Sequence, residues 1–302
     1  MRDDHDVVEP GVLDVGDHRV DALADYPDRV GDTPGTNWLL IGSDSRAGLT
    51  PEQESELATG GEVGSSRTDT IMLVHIPRSG PTVVVSIPRD SYVSVPGNGM
   101  DKINAAFAIG GAPLLIQTVE IATGVHIDHY AEIGFAGFAG MVDALGGIKV
   151  CLDQPMTDPL AGIDLPAGCQ TLDGAKALGF VRSRNFPNAD LQRVQNQRMF
   201  LTALLDKATS ITTLVNPARL GPLIHSGVAS LTVDSGDHVW NLAALVLAMR
   251  GQSVQTTVPV GGSQQTDVGD VLLWDHDRAS AFFAAIANDQ PIPEELITAG
   301  GG

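Results

Sequence analysis

Residues 67–90 read RTDTIMLVHIPRSGPTVVVSIPRD, and this stretch predicts the centre of the fold. Its two apolar segments, 70–76 and 82–87, are rich in Val and Ile, which is typical of buried strands. The turn sequence PRSGP separates them over 77–81, so the two strands are expected to pair as a hairpin. Charged residues stand at both ends of this hairpin, where its strands begin and end.

Strands and helices alternate around the hairpin. Further strands are predicted over 37–41, 130–133, 148–152, 179–184, 254–260 and 271–274. Helices are predicted over 105–123, 135–145, 172–178, 189–209, 216–226, 235–250 and 278–287, the first of them bent at its Gly-Gly-Ala-Pro sequence. This alternation predicts the α/β class, as a three-layer α/β/α sandwich. Because of the hairpin, the central sheet is expected to be mixed rather than purely parallel.

One domain is predicted over 36–290, between two segments of different composition. Residues 1–35 hold ten acids and three arginines and predict an acidic N-terminal arm or stalk, either disordered or with one short helix over 20–26. Inside the domain, the Glu- and Gly-rich residues 49–66 are expected to form a mobile loop. Residues 291–302 end in three glycines and predict a flexible tail.

The chain is strongly acidic: 37 Asp and Glu stand against 18 Lys and Arg in 302 residues, a formal net charge of -19. Nucleic acid and anionic membrane surfaces repel such a chain, so we expect no nucleic-acid partner. We also expect no apolar run long enough to span a membrane and no signal peptide, since acids follow Met1 almost at once. The chain is therefore expected to be either a cytoplasmic protein or the trimmed soluble portion of an anchored one.

Cys151 and Cys169 are the two cysteines of the chain. A disulfide between them would close a loop of about 17 residues and stabilise the fold by roughly 3 kcal/mol in the chain-entropy model. The loop is rich in Pro, Asp and Gly, as an exposed excursion of the chain is. Two interpretations follow: a disulfide, which implies an oxidising setting outside the cytoplasm, or two separate buried thiols.

Six short stretches place basic residues close to aspartates or to one another. They are GSDSR (42–46), RTDT (67–70), SIPRD (86–90), DKINAA (101–106), RSR (182–184) and DLQRVQNQR (190–198). Guanidinium groups bind phosphate oxygens through paired hydrogen bonds. Aspartates hold a hard cation such as Mg²⁺, which binds the same phosphate. The pattern therefore predicts a phosphate site, and a pyrophosphate suits this number of cations.

The spacing inside these stretches directs charged side chains into a common space. Residues two apart on an extended strand point to the same side. On the helix predicted over 189–209, residues three and seven positions apart share a face. The pairs on strands are Asp44 with Arg46, Arg67 with Asp69, and Arg182 with Arg184, and the helical set is Asp190, Arg193 and Gln197.

Each stretch taken alone has a simpler interpretation, because a surface ion pair contributes less than about 1 kcal/mol and needs no ligand. Three features favour a site. Arg89 follows the end of an apolar strand, where open sheets bind ligands. Arg182 and Arg184 are neighbouring like charges that an anion would satisfy. Asp44 and Asp69, if close together, would repel each other without a cation between them.

Other catalytic templates are absent from the sequence. It has no GxSxG nucleophile elbow, no P-loop, no Rossmann glycine fingerprint and no HExxH. His126 and His129 flank Asp128 but have no third ligand at a suitable spacing, so a loop before a strand is the simpler interpretation. Spacing alone leaves a glycosidase pair of carboxylates open.

Seven segments of the chain match, in order, the motifs of a known family. They are NWLLIGSDSR, RTDTIMLVHI, VVVSIPRDSYV, KINAAFAIGGAPLLIQTVE, HIDHYAEIGFAGFAGMVDALGGIKV, LPAGCQTLDGAKALGFVRSR and ADLQRVQNQRMFL. Over about residues 37–205 the chain therefore resembles the LytR-CpsA-Psr family of cell-wall ligases. Family members are generally anchored by one N-terminal transmembrane helix, which we expect to be missing from this sequence, and their catalytic domain lies outside. They transfer a glycopolymer from a polyprenyl-pyrophosphate carrier to the muramic acid of peptidoglycan.

The resemblance implies roles for individual residues. It implies that Asp44 and Asp69 hold Mg²⁺, with Mn²⁺ as an alternative. Contacts to the pyrophosphate are implied for Arg67, Arg89, Lys102, Arg182, Arg184, Arg193 and Gln197. The catalytic set is Asp69, Arg89, Arg182, Arg184 and Asp190, in which Asp69 and Asp190 are equal candidates for the general base. Cys151 and Cys169 look like the cysteine pair of actinobacterial members.

The function implied by this resemblance is a Mg²⁺-dependent phosphotransferase on the outer face of the cell membrane. Its donor would be a polyprenyl-diphosphate-linked glycan and its acceptor peptidoglycan, with arabinogalactan, teichoic acid or capsule as the glycopolymer. Two alternatives use the same site: a hydrolase in which water replaces the acceptor hydroxyl, and a non-catalytic lipid-pyrophosphate binding protein. An apolar groove for the lipid is expected along the helix over 105–121 and around Phe135, Phe138 and Met141, unless these residues are ordinary core.

Overall fold

The structure is a computed structural model of the 302-residue chain. It describes residues 19–45, 49–59, 68–183, 200, 203, 204, 207, 231–250 and 253–298, with the side chain of Asp69 excepted. The helices predicted over 189–209 and 216–226 lie almost wholly outside these residues.

In the part of the chain that the structure describes, seven strands, numbered along the chain, form the central sheet. From one edge to the other they are β1 (Arg19–Val20), β12 (Leu231–Asp234), β7 (His129–Ile133), β2 (Thr36–Ser43), β3 (Thr68–Ile76), β4 (Thr82–Ile87) and β13 (Ser253–Thr257). β2 pairs parallel with β7 and antiparallel with β3, which pairs antiparallel with β4. The predicted hairpin and the predicted mixed sheet are therefore confirmed.

Eight further strands in the described residues form two-stranded pairs outside this sheet. They are β5 (Tyr92–Val95) with β6 (Gly99–Lys102), β8 (Ile148–Leu152) with β11 (Gly168–Leu172), β9 (Met156–Asp158) with β10 (Ile163–Leu165), and β14 (Val260–Thr266) with β15 (Gly269–Trp274). Every one of these pairs is antiparallel. The β5–β6 pair joins β4 to the longest helix, so it sets where that helix begins.

The described residues also include six bounded α-helices. They are α1 (Pro51–Glu56), α2 (Ile103–Thr123), α3 (Phe135–Ala144), α4 (Gly174–Arg182), α5 (Val239–Met249) and α6 (His276–Ala287), followed by a 3-10 turn at Glu294–Leu296. The helices predicted over 135–145, 235–250 and 278–287 correspond to α3, α5 and α6.

Two helices, α2 and α6, cover one face of the central sheet. The buried side chains between them form one apolar cluster, which includes Leu39, Ile71, Leu73, Val85, Ile103, Leu115, Val119, Phe282 and Phe283. The backbone of α2 departs from helical geometry at Gly110 and Gly111, as predicted from the Gly-Gly-Ala-Pro sequence. Gly111 has a φ of 64°, a left-handed conformation that glycine adopts without a steric penalty.

By length and composition, α2 is apolar enough to cross a membrane, which corrects the expectation that no run of the chain is. In this structure the helix packs on the sheet instead, and its Glu120 is fully buried within the protein. Such packing is typical of the core helix of an α/β domain.

The opposite face of the sheet is covered by α5. Trp38, Val74 and Val84 of the sheet pack there against Leu242 and Leu245 of the helix. Because the central strands are buried on both faces, their sequences are almost continuously apolar. The three-layer α/β/α sandwich predicted from the sequence is therefore confirmed.

A second apolar cluster lies under the disulfide-bonded segment. Cys151 and Cys169 form the predicted disulfide and are directly paired in register between β8 and β11. The residues between them are less exposed than predicted, since Met156, Ile163 and Leu165 are buried against α3 and α4.

A strand predicted over 179–184 is wrong, because α4 continues to Arg182. The Asp173 carboxylate caps the start of α4 by accepting from the Lys176 amide, and the buried positions Ala177 and Phe180 follow helical spacing. A Cβ at Gly179 would come within 2.3 Å of Ile163, so a glycine is needed where α4 packs on β10.

The mobile loop predicted over 49–66 is also corrected, because its first part forms α1. Thr50 and Gln53 make a capping box at the start of this helix, each side chain accepting from the other residue's amide. The Thr50-Pro51 sequence is typical of the start of a helix, but the Glu-rich composition of the segment favoured a loop.

Both ends of the described chain are bonded to the domain. Arg19–Val20 forms β1, an outer strand of the sheet, so the helix predicted over 20–26 is wrong. Arg29 forms an ion pair with Glu120 on α2. Near the other end, Thr298 Oγ1 donates to the Thr257 carbonyl at 2.9 Å and Leu296 is buried. Arg19–Val20, Arg29, Leu296 and Thr298 thus contact the domain, and its predicted boundaries at residues 36 and 290 stay predictions.

Candidate functional site

Four neighbouring strands begin or end along one side of the central sheet. This side is called the sheet edge, and it is distinct from the outer strands β1 and β13. β7, β2 and β4 end there, whereas β3 runs in the opposite direction and begins there. Asp44 follows β2, Arg89 follows β4, Asp69 lies at the start of β3 and Glu132 near the end of β7. Since neighbouring strands are about 4.8 Å apart, these four positions span roughly 15 Å of the sheet edge. Three of the six charged stretches are thereby brought together.

A β-bulge shapes this edge at Asp69. The register shifts after Gly42, so that Ser43 pairs with Thr68 and Asp69 is an additional residue in β3. Bulges redirect the side chains around them and are common beside active sites. Because Asp44 directly follows Ser43, the backbone places the two predicted metal ligands side by side on adjacent strands.

Glu132 is held at the same edge by two hydroxyl groups. Ser43 Oγ donates to Glu132 Oε1 at 2.5 Å, and Tyr130 OH donates to Glu132 Oε2 at 2.9 Å. Burial, reinforced by the charge of Glu132, raises the pKa of Tyr130, so its hydroxyl remains a donor. Glu132 was not predicted as a site residue, although it is the one acid in the short strand HYAEI.

Thr68 stands directly opposite Ser43 and is fully buried. Its hydroxyl has no hydrogen-bond partner among the described residues. A buried hydroxyl left unpaired costs about 1–3 kcal/mol, and native proteins retain few of them. Sequence analysis assigned no role to Thr68, because an unpaired side chain is visible only once its neighbours are placed.

A cationic pair lies at the end of β4, around one carboxylate. Asp90 accepts from Arg89 Nε at 3.3 Å and from Lys102 Nζ at 2.9 Å, and the three side chains are about one-third exposed or less. Two predicted pyrophosphate contacts, Arg89 and Lys102, are therefore neighbours in space although 13 residues separate them along the chain. The cluster carries a net positive charge, and its side chains are partly exposed.

This cluster adjoins the amino end of α2. Lys102 directly precedes the helix, and the Ile103 and Asn104 amides donate to the carbonyls of Ser91 and Arg89 at 2.8 and 3.2 Å. The loop after β4 is thereby tied to the first turn of the helix. A helix amino end carries a partial positive charge, which adds to the attraction for an anion.

Arg182 is placed differently from the expectation. It ends α4 rather than a strand, and its guanidinium donates to the carbonyls of Leu57 and Ala58 at 3.2 and 3.3 Å, where α1 ends. The same group lies 4.8 Å from the ring centroid of Phe135, the first residue of α3. Since the Phe135 amide donates to the Ser45 carbonyl, Arg182 connects to the segment that follows β2.

Several predicted site residues lie outside the described part of the structure. They are Arg46, Arg67, Arg184, Asp190, Arg193 and Gln197, together with the side chain of Asp69. Their roles stay predictions, as do the pyrophosphate contacts of Arg89, Lys102 and Arg182.

The residues at this edge suit a hard divalent cation. Mg²⁺ binds through one or two carboxylates and completes its coordination with water and substrate phosphates, so Asp44 and Asp69 offer enough ligands. Among the described side chains, which exclude that of Asp69, no three His, Cys, Asp or Glu residues lie close enough to hold a metal ion. The unpaired hydroxyl of Thr68, the residue that precedes Asp69, also fits a polar ligand near this edge.

Comparison with known proteins identifies the class. Residues 18–286 match the model of the LytR_cpsA_psr family. The chain therefore belongs to the LytR-CpsA-Psr family, as its motifs predicted. Its mixed central sheet between helices is the fold of solved members of that family.

Two relatives and one solved structure illustrate the similarity. The probable cell wall biosynthesis protein LcpB of Corynebacterium glutamicum is 56% identical over 269 residues, which are 89% of this chain and 64% of that protein. The polyisoprenyl-teichoic acid–peptidoglycan teichoic acid transferase TagT of Bacillus subtilis is 36% identical over 183 residues, 58% of this chain and 53% of that protein. The chain thus spans less than two thirds of the length of either relative.

The solved structure is that of the LytR-CPS2A-psr family protein YwtF (TagT) with bound octaprenyl pyrophosphate lipid. It has a TM-score of 0.60 at 24% identity, over 91% of this chain and 96% of that one. At this level of identity the similarity establishes the shared fold.

Proposed function

We propose that this protein is a Mg²⁺-dependent phosphotransferase that attaches a polyprenyl-diphosphate-linked glycopolymer to the muramic acid of peptidoglycan. The main support is the strand topology, which gathers the positions of Asp44, Asp69, Arg89 and Lys102 at one edge of the sheet. A diphosphate and its cation require this combination of carboxylates and cations. Relatives named as teichoic acid transferases, and one solved with octaprenyl pyrophosphate, support the choice of donor.

Arg89 and Lys102 would bind the diphosphate oxygens. Both already point to Asp90, which holds them at a fixed separation before a substrate arrives. Donors that are oriented in advance stabilise developing negative charge without reorganising during the reaction. The amino end of α2 beside them contributes in the same direction.

Asp44 and Asp69 would hold the cation, which when bound neutralises charge on the phosphate oxygens. Ser43 supports this arrangement, because its hydrogen bond to Glu132 fixes the end of β2 from which Asp44 extends. Mn²⁺ is an alternative, since carboxylate and water ligands also suit it.

The proposed transfer moves one phosphoryl group. The acceptor hydroxyl oxygen bonds to the phosphorus that carries the glycopolymer, while the bond from that phosphorus to the bridging oxygen breaks. The lipid leaves as its monophosphate, and the hydroxyl proton passes to a general base. Asp69 and Asp190 remain equal candidates for this base.

The proposed setting is the extracytoplasmic face of the cell membrane. The Cys151–Cys169 disulfide supports an oxidising compartment. We propose attachment to the membrane through a helix that precedes the domain, and no nucleic-acid partner. Arabinogalactan is our preferred glycopolymer, and teichoic acid or capsule are the alternatives; the corynebacterial relative is named as a probable cell wall biosynthesis protein.

A labelled donor distinguishes this function from the two alternatives. The protein is incubated with Mg²⁺, a polyprenyl-diphosphate glycan labelled in its sugar, and peptidoglycan fragments. A covalent conjugate together with lipid monophosphate is the expected result. Release of labelled glycan without a conjugate would identify a hydrolase, and an intact bound donor would identify a carrier; either would overturn the proposal.

A further inference from the structure

The hydroxyl of Thr68 is the polar group at the sheet edge that the described structure leaves without a partner. Thr68 is 0% exposed, so water at the protein surface does not satisfy its Oγ1. Other buried threonines differ: Thr118 Oγ1 donates to the Leu114 carbonyl at 2.7 Å, and Thr82 Oγ1 donates to the Ala248 carbonyl at 3.0 Å. The contrast shows that burial of a threonine in this fold does not by itself leave the hydroxyl unpaired.

The strand pairing of Thr68 indicates which side chains share its face of the sheet. Directly opposite residues of an antiparallel pair point to the same face of the sheet, so Thr68 shares a face with Ser43. Ser43 and Tyr130 already donate to the two carboxylate oxygens of Glu132 on that face. The bulge residue Asp69 directly follows Thr68 in the chain, and Asp44 directly follows Ser43, so the Thr68–Ser43 pair is the backbone neighbour of both predicted cation ligands.

We propose that Thr68 is a positioning residue for the cation site, whose buried hydroxyl forms its hydrogen bond with a hydrated divalent cation held at Asp44 and Asp69. The inference rests on the proposed function, and it extends the cation site beyond the two aspartates to Thr68. Mg²⁺ and Mn²⁺ keep part of their hydration shell in proteins, and that shell offers hydrogen-bond donors to a nearby hydroxyl. Groups that orient metal ligands in this way commonly change metal affinity by roughly 10- to 100-fold.

Thr68→Val tests the proposal, because valine has the shape of threonine without the hydroxyl. Mn²⁺ binding is followed by electron paramagnetic resonance on the purified full chain, without donor or acceptor. The expected result is a dissociation constant at least about tenfold higher for Thr68→Val. Thr68→Ser, which restores the hydroxyl, should bind Mn²⁺ within about twofold of the unmodified protein.

The unfolding temperature of the cation-free protein gives a second, independent readout. Thr68→Val should unfold at the same or a higher temperature, because it removes an unpaired buried hydroxyl. The matched control Thr118→Val should unfold at a lower temperature and bind Mn²⁺ normally, since it removes a hydroxyl that is already bonded. A marked drop in the unfolding temperature of Thr68→Val would show that its hydroxyl has a partner without the cation, and the proposal would be overturned.

Unchanged Mn²⁺ affinity in Thr68→Val would also overturn the proposal, while leaving the phosphotransferase assignment intact. A different result would contradict the proposed Mg²⁺-dependent phosphotransferase: transfer of glycopolymer at full rate by the unmodified protein in the presence of a chelator. The two failures are therefore distinguishable by separate measurements on the same preparations.

Discussion

Arg29 and Glu120 form a two-pronged ion pair, with Nε to Oε2 and Nη2 to Oε1 both 3.0 Å apart, across 91 residues of sequence. Glu120 is fully buried, and it also accepts from Tyr26 OH at 2.7 Å and from the Ile127 amide at 2.8 Å. Four donors therefore satisfy this one buried carboxylate. The pair fastens the segment before β2 to the end of α2, on the side of the sheet away from the candidate site.

Glu120→Gln should destabilise the protein by about 3 kcal/mol, because it leaves the guanidinium of Arg29 partly buried without its counter-charge. Urea unfolding followed by circular dichroism measures the change. Lys176→Gln is the control, since it breaks an exposed ion pair with Asp173 and should cost less than about 1 kcal/mol. Equal losses in the two variants would contradict the structural role given to Glu120.

Arg182→Ala should loosen α1, because it removes the guanidinium that donates to the carbonyls of Leu57 and Ala58. Hydrogen exchange read by mass spectrometry should become faster over residues 50–58, while the strands β2 to β4 remain protected. Transfer activity should also fall. Arg78→Ala is the control, since Arg78 is exposed at the far turn of the β3–β4 hairpin. Unchanged hydrogen exchange over residues 50–58 would contradict the contact of Arg182 with the end of α1.

Arg89→Ala should reduce the rate of glycopolymer transfer by about 100-fold, the usual effect of removing one pre-oriented donor. Arg89→Lys should retain part of the activity, because it keeps the charge but loses the planar, two-pronged geometry. Steady-state rates with labelled donor measure both variants against the distant Arg78→Ala. Full activity of Arg89→Ala would remove Arg89 from the site.

His75 should make the free energy of unfolding of the protein depend on pH. It is buried, with Nδ1 2.7 Å from Asn37 Oδ1 and Nε2 3.2 Å from Asp289 Oδ1. Burial lowers the pKa of His75, an effect that the carboxylates of Asp289 and Asp128 oppose. The unfolded chain, in which the pKa is about 6.5, then binds the proton more readily.

The contribution of His75 is therefore fully present above about pH 6.5 and is lost as the pH falls through the lower folded-state pKa. Unfolding temperatures between pH 7.5 and 5.5 should decline for the unmodified protein and decline less for His75→Gln. A parallel pH dependence in both proteins would show that His75 does not control it.

Much of the fold follows from local patterns. The strands around 37–41, 70–76 and 82–87, the bend in α2 and the cysteine pairing all appear in the structure where the sequence places them. The errors fall where local signals are weak. Residues 179–182 are too short a stretch for periodicity to separate strand from helix, and in the structure they continue the helix that Asp173 caps.

The sequence by itself determined the family, the layered α/β architecture and the placing of charged residues at strand ends, because apolar periodicity and turn residues act over a few neighbouring positions. The tertiary structure alone decided which of those ends meet. The bulge that sets Asp69 beside Asp44, the unpaired hydroxyl of Thr68 and the contact of Arg182 with α1 depend on groups far apart in the chain. Such contacts form only when the whole core is packed, so no local pattern of residues records them.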